Sequence, residues 1–316
     1  MTPAAVSVIG GVQVDLVMTP VDALPAPGTS TYVDALTMRV GGAGANAALA
    51  LAELGTPVRL FGCIGDDHFG RWILDELARA GLGDELTVAA GERTGVTVAC
   101  EAPERDRSFI TSLGAAAEWE AWTLPGDAPD SASVLVCDYF CAPAMRGDGT
   151  RGLLTAARDY GARTYFDTTW DPDGFPAMTR EEVQALLPLV DVFLPNAGEA
   201  CALAGSDDDA VAAARALQAL SGGWVVAKLG PAGCHAVGPD GREHAVPAPV
   251  VDVVDTTGAG DAFNAGLIDA LANGADWPAA LEAATRLASA IVARPSNDRY
   301  TARPADADEA SARPAG

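Results

Sequence analysis

Short apolar runs alternate with longer amphipathic or alanine-rich segments along most of the chain. The apolar runs have the length of buried strands, and the longer segments carry the apolar spacing of helices. The predicted strands are 6–9, 58–61, 134–137, 164–166, 192–194 and 224–227. The predicted helices are 46–54, 69–80, 153–160, 181–187, 210–220 and 278–292. This alternation predicts an α/β fold with a central, mostly parallel sheet and helices on both of its faces.

Two regions break the alternation. Residues 12–40 contain period-two segments and turn residues, and residues 94–113 read as a hairpin that turns at 103–106. We expect these regions to form a small β-sheet inserted into the α/β core as a lid; the alternative is a pair of ordinary edge hairpins. The tail from residue 301 is polar. We therefore expect one domain over 1–300 and a disordered tail over 301–316.

Composition and charge exclude several classes of protein. No run of 18 apolar residues occurs, so we expect no membrane span. The N-terminus enters the first strand without a basic region, which favours a cytoplasmic protein over a secreted one. The net charge of −23 makes nucleic acid a poor partner, because its phosphates require basic patches. The six cysteines lack a C-x-x-C pair and the three histidines are far apart, so we expect neither a disulfide framework nor a zinc site.

Residues 255–267 are the most informative segment, and they read DTTGAGDAFNAGL. Gly258 and Gly260 allow a tight turn, and the helix that follows presents unpaired N–H groups and the positive end of its dipole. Such a turn can hold a phosphate, and Asp261 in the first helical turn places a carboxylate base beside it. This arrangement suits phosphoryl transfer to a hydroxyl; the alternative is a capped helix that binds nothing.

A second glycine cluster, residues 41–46, precedes the first long helix. Gly42 lets a ligand approach the backbone, and Asn46 offers a donor and an acceptor to the hydroxyls of a polyol. The cluster also matches the dinucleotide fingerprint G-x-G-x-x-A, with Asp66 at the expected distance. An NAD-dependent oxidoreductase is therefore an alternative, although this fingerprint normally follows the first strand of its domain.

Polar residues also follow other predicted strands. Asp15 comes after the first strand and could reach the mouth of a pocket, although a lone aspartate is usually a surface residue. Asn196 and Glu199 begin a helix, where they suit nucleotide phosphates or water on Mg²⁺. The alternative for that pair is a capping box at the helix N-terminus.

Lys228 is the only lysine in the chain, and it opens a loop that contains Gly230 and Gly233. A glycine-bounded loop after a strand suits the lining of a nucleotide site, or it is a plain β-turn. The chain has no G-x-x-x-x-G-K-[ST] segment and no G-x-S-x-G segment, so we expect neither a P-loop enzyme nor an α/β-hydrolase.

In this order, these segments resemble those of the PfkB (ribokinase-like) family of carbohydrate and nucleoside kinases. Residues 41–55 are similar to the N-terminal family signature, and residues 255–267 to the C-terminal one. Residues 62–70, GCIGDDHFG, are similar to a vGxxGxDxfG segment, and residues 196–199 match an NxxE motif. The resemblance runs from about residue 6 to about residue 292.

The resemblance implies one ribokinase-like α/β domain with a β-sheet lid. It implies ATP as the phosphoryl donor, Mg²⁺ as the metal, and Asp261 as the base that takes the proton of the acceptor hydroxyl. The residues that would form the anion hole with their backbone amides are Gly258, Ala259 and Gly260. The residues that would hold the sugar hydroxyls are Asp15, Gly42 and Asn46.

The resemblance further implies a nucleotide site and an oligomer. Asn196 would contact the phosphates, and Glu199 would serve Mg²⁺ through water. Lys228, Gly230 and Gly233 would line the nucleotide loop. Because lid sheets in this family often pair, we expect a homodimer through the lid.

Two departures from the family pattern concern the site. Ala43 stands where many members have a lysine, so the sugar contacts differ from those of ribokinase itself. Residues 293–297, ARPSN, stand where many members carry an Arg-x-Gly-Ala turn that belongs to a monovalent-cation loop. Asp255 and Thr257 could still offer carbonyl oxygens, so K⁺ activation is left open.

We therefore expect ATP-dependent phosphorylation of a hydroxymethyl group of a sugar, as in ribokinase or fructokinase, with a free sugar as the leading acceptor. The alternative within the fold is a nucleoside (adenosine-like) kinase. Two alternatives belong to other functional classes: an NAD-dependent oxidoreductase and a non-catalytic sugar-binding relative. The intact Asp261 argues against the last, because a sensor needs no base.

Overall fold

The structure is a computed structural model that describes residues 6–18, 25–102, 105–206, 208–295 and 300. Its strands, in chain order, are β1 (Val6–Ile9), β2 (Gln13–Met18), β3 (Leu36–Gly41), β4 (Val58–Phe61), β5 (Cys63–Gly65), β6 (Thr87–Ala89), β7 (Val96–Ala102), β8 (Arg105–Ser112), β9 (Ser133–Val136), β10 (Arg163–Phe166), β11 (Val192–Phe193), β12 (Trp224–Lys228), β13 (Cys234–Val237) and β14 (Glu243–Val246). Its α-helices are α1 (Ala43–Glu53), α2 (His68–Ala78), α3 (Asp148–Asp159), α4 (Ala177–Gln184), α5 (Ala197–Ala204), α6 (Ala210–Ser221), α7 (Ala259–Ala272) and α8 (Trp277–Val292).

An eight-stranded sheet forms the centre of the structure, in the order β14-β13-β12-β11-β10-β9-β1-β4. From β12 to β4 in that order, neighbouring strands are parallel. Apolar side chains form two large buried clusters, as expected for a sheet covered on both faces. The predicted fold class is confirmed. Parallel strands end at a common edge, and in open α/β sheets that edge is where ligands bind.

The predicted elements differ from the structure mainly at their ends. Helix α1 begins at Ala43 and not at residue 46, because the carboxylate of Asp138, in the segment after β9, accepts a hydrogen bond from the Ala43 N–H. Helix α3 begins at Asp148, ahead of the apolar spacing that predicted 153–160. The hairpin of β13 and β14 was not predicted; it extends the main sheet antiparallel to β12.

Both regions that break the alternation contribute to a second sheet, in the order β3-β2-β7-β8. Strand β2 pairs in parallel with β7 and antiparallel with β3, while β7 and β8 form the expected hairpin. Residues 103 and 104 of its predicted turn and the tail 301–316 lie outside the described residues.

The second sheet has one polar and one apolar face. A row of paired residues across the four strands is polar: Arg39, Asp15, Thr97 and Thr111. The next row, on the opposite face, is apolar: Met38, Leu16, Val98 and Ile110. Because side chains alternate between faces along a strand, the polar row marks the face that carries Asp15.

Within the described part of the chain, no helix is both long and apolar enough to cross a bilayer. Helices α2, α5, α6 and α8 begin where an aspartate or asparagine side chain accepts a first-turn N–H, as Asp67 does at α2 and Asp276 at α8. Such caps satisfy backbone donors that have no partner inside the helix.

Helices α7 and α8 approach closely at a glycine. A Cβ atom on Gly266 would lie 2.9 Å from the Cα of Ala284, so the two helices would have to separate to accommodate any side chain. Gly152, in the middle of α3, is exposed and has open space where its Cβ would be. A side chain therefore has no room at position 266 and ample room at position 152.

We expect Gly266→Ala to lower the melting temperature and Gly152→Ala to raise it. Alanine gains about 1 kcal/mol of helix propensity over glycine at either site, and at position 266 the collision with Ala284 outweighs that gain. Thermal unfolding of both variants beside the parent chain measures the difference. Equal shifts of the same sign would show that the α7–α8 contact is not sterically limiting.

Candidate active site

Asp261 lies in the first turn of α7, at the carboxyl edge of the main sheet. Helix α7 is preceded by Gly258 in the left-handed conformation (φ 75°), and no side chain of the described residues caps its N-terminus. The Ala259 N–H donates to the Thr256 carbonyl at 3.2 Å, while the Ala262 N–H bonds back to Gly258 as in any helix. The 258–260 turn is only partly covered, so an anion can approach it.

One hydrogen bond joins the two glycine-rich segments singled out in the sequence. The Asn46 side chain, in the second turn of α1, donates from Nδ2 to Asp261 Oδ2 at 2.9 Å. Helix α1 packs against α7, which brings the two residues together across 215 positions of the chain. The Asn46 amide and the candidate base are therefore in direct hydrogen-bonded contact.

Asp138, which the sequence reasoning did not single out, follows β9 and lies near Asp261. It sits just past the end of that strand in the left-handed conformation (φ 56°) and is buried. Its Oδ2 accepts hydrogen bonds from Gly11 N at 3.1 Å and Ala43 N at 2.6 Å. Asp138 thus fixes the loop after β1 to the N-terminus of α1.

Lys228 belongs to a second buried network, at the ends of β10 and β12. Its Nζ lies 2.5 Å from Asp167 Oδ2 and 3.4 Å from Asn264 Oδ1, and Asn264 Nδ2 donates to the same Asp167 oxygen at 2.6 Å. Nζ also lies 3.3 Å from the position that a Cβ on Gly260 would occupy. The only lysine of the chain is thereby held against the turn beside Asp261.

The charges of these groups are strongly perturbed. Burial, followed by the neighbouring carboxylates Asp138 and Asp167, raises the pKa of Asp261 to about 7, although the hydrogen bond from Asn46 opposes the rise. Burial also raises the pKa of Asp138 to about 6. Burial opposes the charge of Lys228, but Asp167 and then Glu199 outweigh it, so the Lys228 pKa is raised and the ammonium stays charged.

Asn196 and Glu199 form a reciprocal capping box at the start of α5. Asn196 Oδ1 accepts from the Glu199 N–H at 2.9 Å, and the two Glu199 oxygens accept from Asn196 N and Nδ2 at 2.8 and 2.6 Å. Burial, followed by the charge of Asp167, raises the pKa of Glu199 to about 7. The capping alternative therefore describes this pair as it stands in the structure.

Gly230 and Gly233 bound a short 3-10 turn between β12 and β13. Gly230 is exposed, whereas Gly233 is buried, and a Cβ on Gly233 would collide with the backbone of β14. Both have positive φ, 57° and 92°. Gly233 is therefore required by the hairpin geometry itself, and the exposed part of the loop is residues 230–232.

Asp15 and Asp255 lie on either side of one arginine that the sequence reasoning missed. Arg39 Nη1 donates to Asp255 Oδ2 at 2.7 Å, and Arg39 Nη2 lies 3.6 Å from Asp15 Oδ2. Gln13 Nε2 also donates to Asp15 at 3.2 Å. Burial raises the pKa of Asp15, and Arg39 lowers it in part. Asp255 further accepts from the Thr257 N–H at 2.9 Å.

Five of the predicted site residues therefore fall into two connected sets. Asp261, Asn46 and Lys228 meet around the turn before α7, and Asp15 is joined to Asp255 through Arg39. The residues that sequence reasoning missed are Arg39, Asp138, Asp167 and Asn264. Asp138 and Asp167 carried a usable signal, since each follows a buried strand of the parallel sheet.

Comparisons with known proteins agree with these observations. The family model described as pfkB family carbohydrate kinase matches residues 4–300. The chain belongs to the pfkB family of carbohydrate kinases. A fructokinase of Klebsiella pneumoniae is 31% identical over 238 residues, which make up 73% of this chain and 76% of that protein.

Solved structures of ribokinases match this kinase over nearly its whole length. A ribokinase of Thermotoga maritima gives a TM-score of 0.79 at 25% identity, over 95% of this chain and 97% of that one. A ribokinase of Arabidopsis thaliana, solved in complex with ribose and ATP, gives 0.77 at 26% identity over 92% and 93%. The predicted family and the sugar-kinase activity are confirmed.

The NAD-dependent oxidoreductase alternative is wrong. The glycine cluster that matched its fingerprint follows β3, which pairs antiparallel with β2 in the second sheet. A dinucleotide fingerprint requires the first strand of a parallel βαβ unit before its glycines. Here the glycines let α1 approach the loop after β1, since a Cβ on Gly44 would lie 2.7 Å from the backbone of Gly10.

We expect Asp261→Asn to stabilise the fold at high pH. The pKa of Asp261 is about 7 in the folded chain against 3.8 ordinarily, so between those values the unfolded chain ionises first and stability falls as pH rises. The variant has no carboxyl group to ionise at this position. Its free energy of unfolding should therefore exceed that of the parent chain by about 2 kcal/mol at pH 8, after allowance for partial exposure, and by little near pH 4. Thermal unfolding at both pH values measures it. A gain independent of pH would contradict the raised pKa.

Proposed function

We propose that this kinase transfers the γ-phosphoryl group of ATP to a hydroxymethyl group of a sugar, with Asp261 as the base. The observation that supports this most strongly is the 2.9 Å hydrogen bond from Asn46 to Asp261. It puts a hydroxyl-binding amide and a basic carboxylate in one pocket beside a helix N-terminus that can receive phosphate.

In the proposed step, a carboxylate oxygen of Asp261 accepts the proton of the acceptor hydroxyl. The hydroxyl oxygen forms a bond to the γ-phosphorus while the bond from that phosphorus to the bridging oxygen of ADP breaks. With a pKa of about 7, Asp261 is a stronger base than an ordinary aspartate and is still half ionised at neutral pH. The products are ADP and the sugar phosphate.

Charge that develops on the transferring group would be met by the turn before α7. The amides of Gly258, Ala259 and Gly260 begin the helix, where its dipole favours an anion. Because the Ala259 N–H donates to the Thr256 carbonyl in the structure, that amide would have to turn toward the phosphoryl group. The Lys228 ammonium, adjacent to Gly260, supplies a full positive charge beside it.

The acceptor pocket favours an uncharged sugar. Asp15, Gly42 and Asn46 would hold its hydroxyls. The networks around the pocket contain six carboxyl groups, those of Asp15, Asp138, Asp167, Glu199, Asp255 and Asp261. They contain two cationic side chains, Arg39 and Lys228, and both are already engaged by carboxylates. A sugar phosphate or sugar acid would meet net repulsion there.

The nucleotide would lie over the loop after β12, with Asn196, Lys228, Gly230 and Gly233 around it. Among the described residues no group of three or more His, Cys, Asp or Glu side chains is arranged to hold a metal. Carboxylate oxygen nonetheless suits Mg²⁺, which commonly binds substrate phosphates and keeps several waters. Glu199, with both oxygens engaged by Asn196, would serve such a water, and Mg²⁺ would offset phosphate charge.

We expect Asp261→Asn to lower kcat by roughly 10³-fold, because the amide cannot take the proton. Binding of ATP and of the sugar, measured by calorimetry, should change little. The matched control is Asp269→Asn on the same helix, where the carboxylate contacts Thr56 at the protein surface and turnover should persist.

The acceptor for this test is found by measuring ATP consumption across free sugars, sugar phosphates, sugar acids and nucleosides. Free sugars should be turned over fastest. Preference for a nucleoside would favour the other activity of this fold, and substantial turnover by Asp261→Asn would remove its assignment as the base.

The second sheet is proposed to act as a lid over one catalytic domain, residues 1–300, and to join two chains. Its apolar row contains Met38 and Ile110, which are 40% and 57% exposed. Leu36, on the same face, is 56% exposed. An exposed apolar sheet face is a typical protein–protein contact, and pairing two copies of this face would cover it.

We expect Ile110→Glu to convert the homodimer to monomers, because a charge in the apolar row opposes pairing of the two faces. Light scattering after size-exclusion chromatography measures the mass. The control is Met178→Glu, at a side chain that is 78% exposed on α4 in the main domain. A native chain that is already monomeric, or a variant that stays dimeric, would contradict the lid interface.

The cytoplasm is the compartment we propose. All six cysteines are free thiols in the structure, which is typical of proteins kept in a reducing compartment.

A further inference from the structure

Arg39 occupies an unusual position between the second sheet and the turn before α7. It lies on β3 directly opposite Asp15 of β2, and its side chain is nine-tenths buried. One terminal nitrogen bonds to Asp255 at 2.7 Å and the other lies 3.6 Å from Asp15. A single guanidinium thus bridges a proposed sugar-binding residue and the first residue of the C-terminal signature.

Asp255 controls the geometry of that turn. Its side chain is buried; Oδ1 accepts from the Thr257 N–H at 2.9 Å, and Oδ2 accepts from Arg39. Its backbone N–H donates to the Val292 carbonyl at the end of α8 at 3.1 Å. These bonds fix the chain three residues before Gly258, where the phosphate-binding amides begin.

Burial of the Asp255 charge requires a compensating positive charge nearby, because a buried, unpaired carboxylate is costly. Arg39 provides it. The hydrogen bonding of the guanidinium is incomplete, since Nε and Nη2 are buried and lack hydrogen-bond partners among the described residues. Unsatisfied buried donors cost stability, and natural proteins tolerate them mostly at functional sites.

The resemblance to the family leaves open a monovalent cation at the carbonyl oxygens of Asp255 and Thr257, but among the described residues a cationic side chain, that of Arg39, already pairs with Asp255. Both Asp255 carboxylate oxygens already accept hydrogen bonds, and one of them accepts from a guanidinium. A second cation placed here would be repelled by Arg39 at short range.

We propose that Arg39 is a built-in cation that holds the 255–260 turn in its phosphate-binding geometry, so that turnover needs no added monovalent cation. Arg39 acts through Asp255 and is a positioning residue. Its contact with Asp15 also links the turn to the acceptor side of the pocket. The effect on turnover rests on the kinase function proposed above; the charge compensation of Asp255 does not.

The test uses Arg39→Met, which removes the charge and keeps a long side chain. The matched control is Arg59→Met on β4, where the arginine likewise bridges two carboxylates, Glu85 and Asp127, away from the site. Initial rates are measured in potassium chloride, in choline chloride and with added guanidinium. Arg39→Lys is measured as well, because it keeps the charge even if the methionine variant folds poorly.

We expect equal native rates in potassium and choline. Arg39→Met should lose about 100-fold in kcat in choline, with a smaller change in KM for ATP, because a displaced turn mainly affects the transition state. Potassium or guanidinium should restore part of the loss, and Arg39→Lys should retain activity in choline. Arg59→Met should behave as the native chain does.

A readout that does not depend on catalysis separates this inference from the proposed function. Potassium should raise the melting temperature of Arg39→Met relative to choline and leave the native value unchanged. If no acceptor is phosphorylated, the proposed function fails and the melting comparison still tests Arg39. Potassium-dependent native activity, or an Arg39→Met variant as active as Arg59→Met in choline, would overturn the proposal.

Discussion

The structure depends on how the charges of several neighbouring carboxylates are compensated at the carboxyl edge of the main sheet. Asp138 and Asp167 follow neighbouring strands, and Asp261 faces them from the first turn of α7. Burial, followed by the charges of Asp138 and Asp167, raises the cost of ionising Asp261, which is why its pKa reaches about 7. The electrostatic cost is the source of the basicity that a proton-accepting carboxylate requires.

A small number of groups compensate the negative charge of these carboxylates. Lys228 neutralises part of the charge through Asp167, and Asp138 is stabilised by backbone N–H groups of Gly11 and Ala43. Arg39 likewise neutralises Asp255, through an ion pair at the edge of the second sheet. Because every cationic side chain in these networks is tied to a carboxylate, the pocket keeps an excess of negative charge. That excess is the physical reason to expect a neutral acceptor.

Much of this arrangement could be predicted from the sequence, because local chemistry carried it. The glycines and Asp261 of residues 255–267 define a helix N-terminus by themselves, and Asn46 was found through its glycine neighbours. Arg39 was missed because nothing adjacent to it in sequence reveals that its partner is Asp255, 216 residues away.

Strand β14 was missed for a different reason, since the exposed residues at its alternate positions weaken the apolar pattern that marks buried strands. Helix α1 begins earlier than predicted because Asp138, which accepts a hydrogen bond from its first N–H, comes from the segment after β9. Contacts between distant segments therefore decide the details that local patterns leave open.

The most direct test of Asp261 as a base with a raised pKa is the pH dependence of kcat/KM for the sugar at saturating ATP. This ratio reports the ionisation of essential groups in the enzyme before the sugar binds. It should be constant above about pH 7 and fall tenfold per pH unit below it. The account would be contradicted if kcat/KM began to fall only near pH 3.8, the ordinary pKa of aspartate, or did not fall at low pH at all.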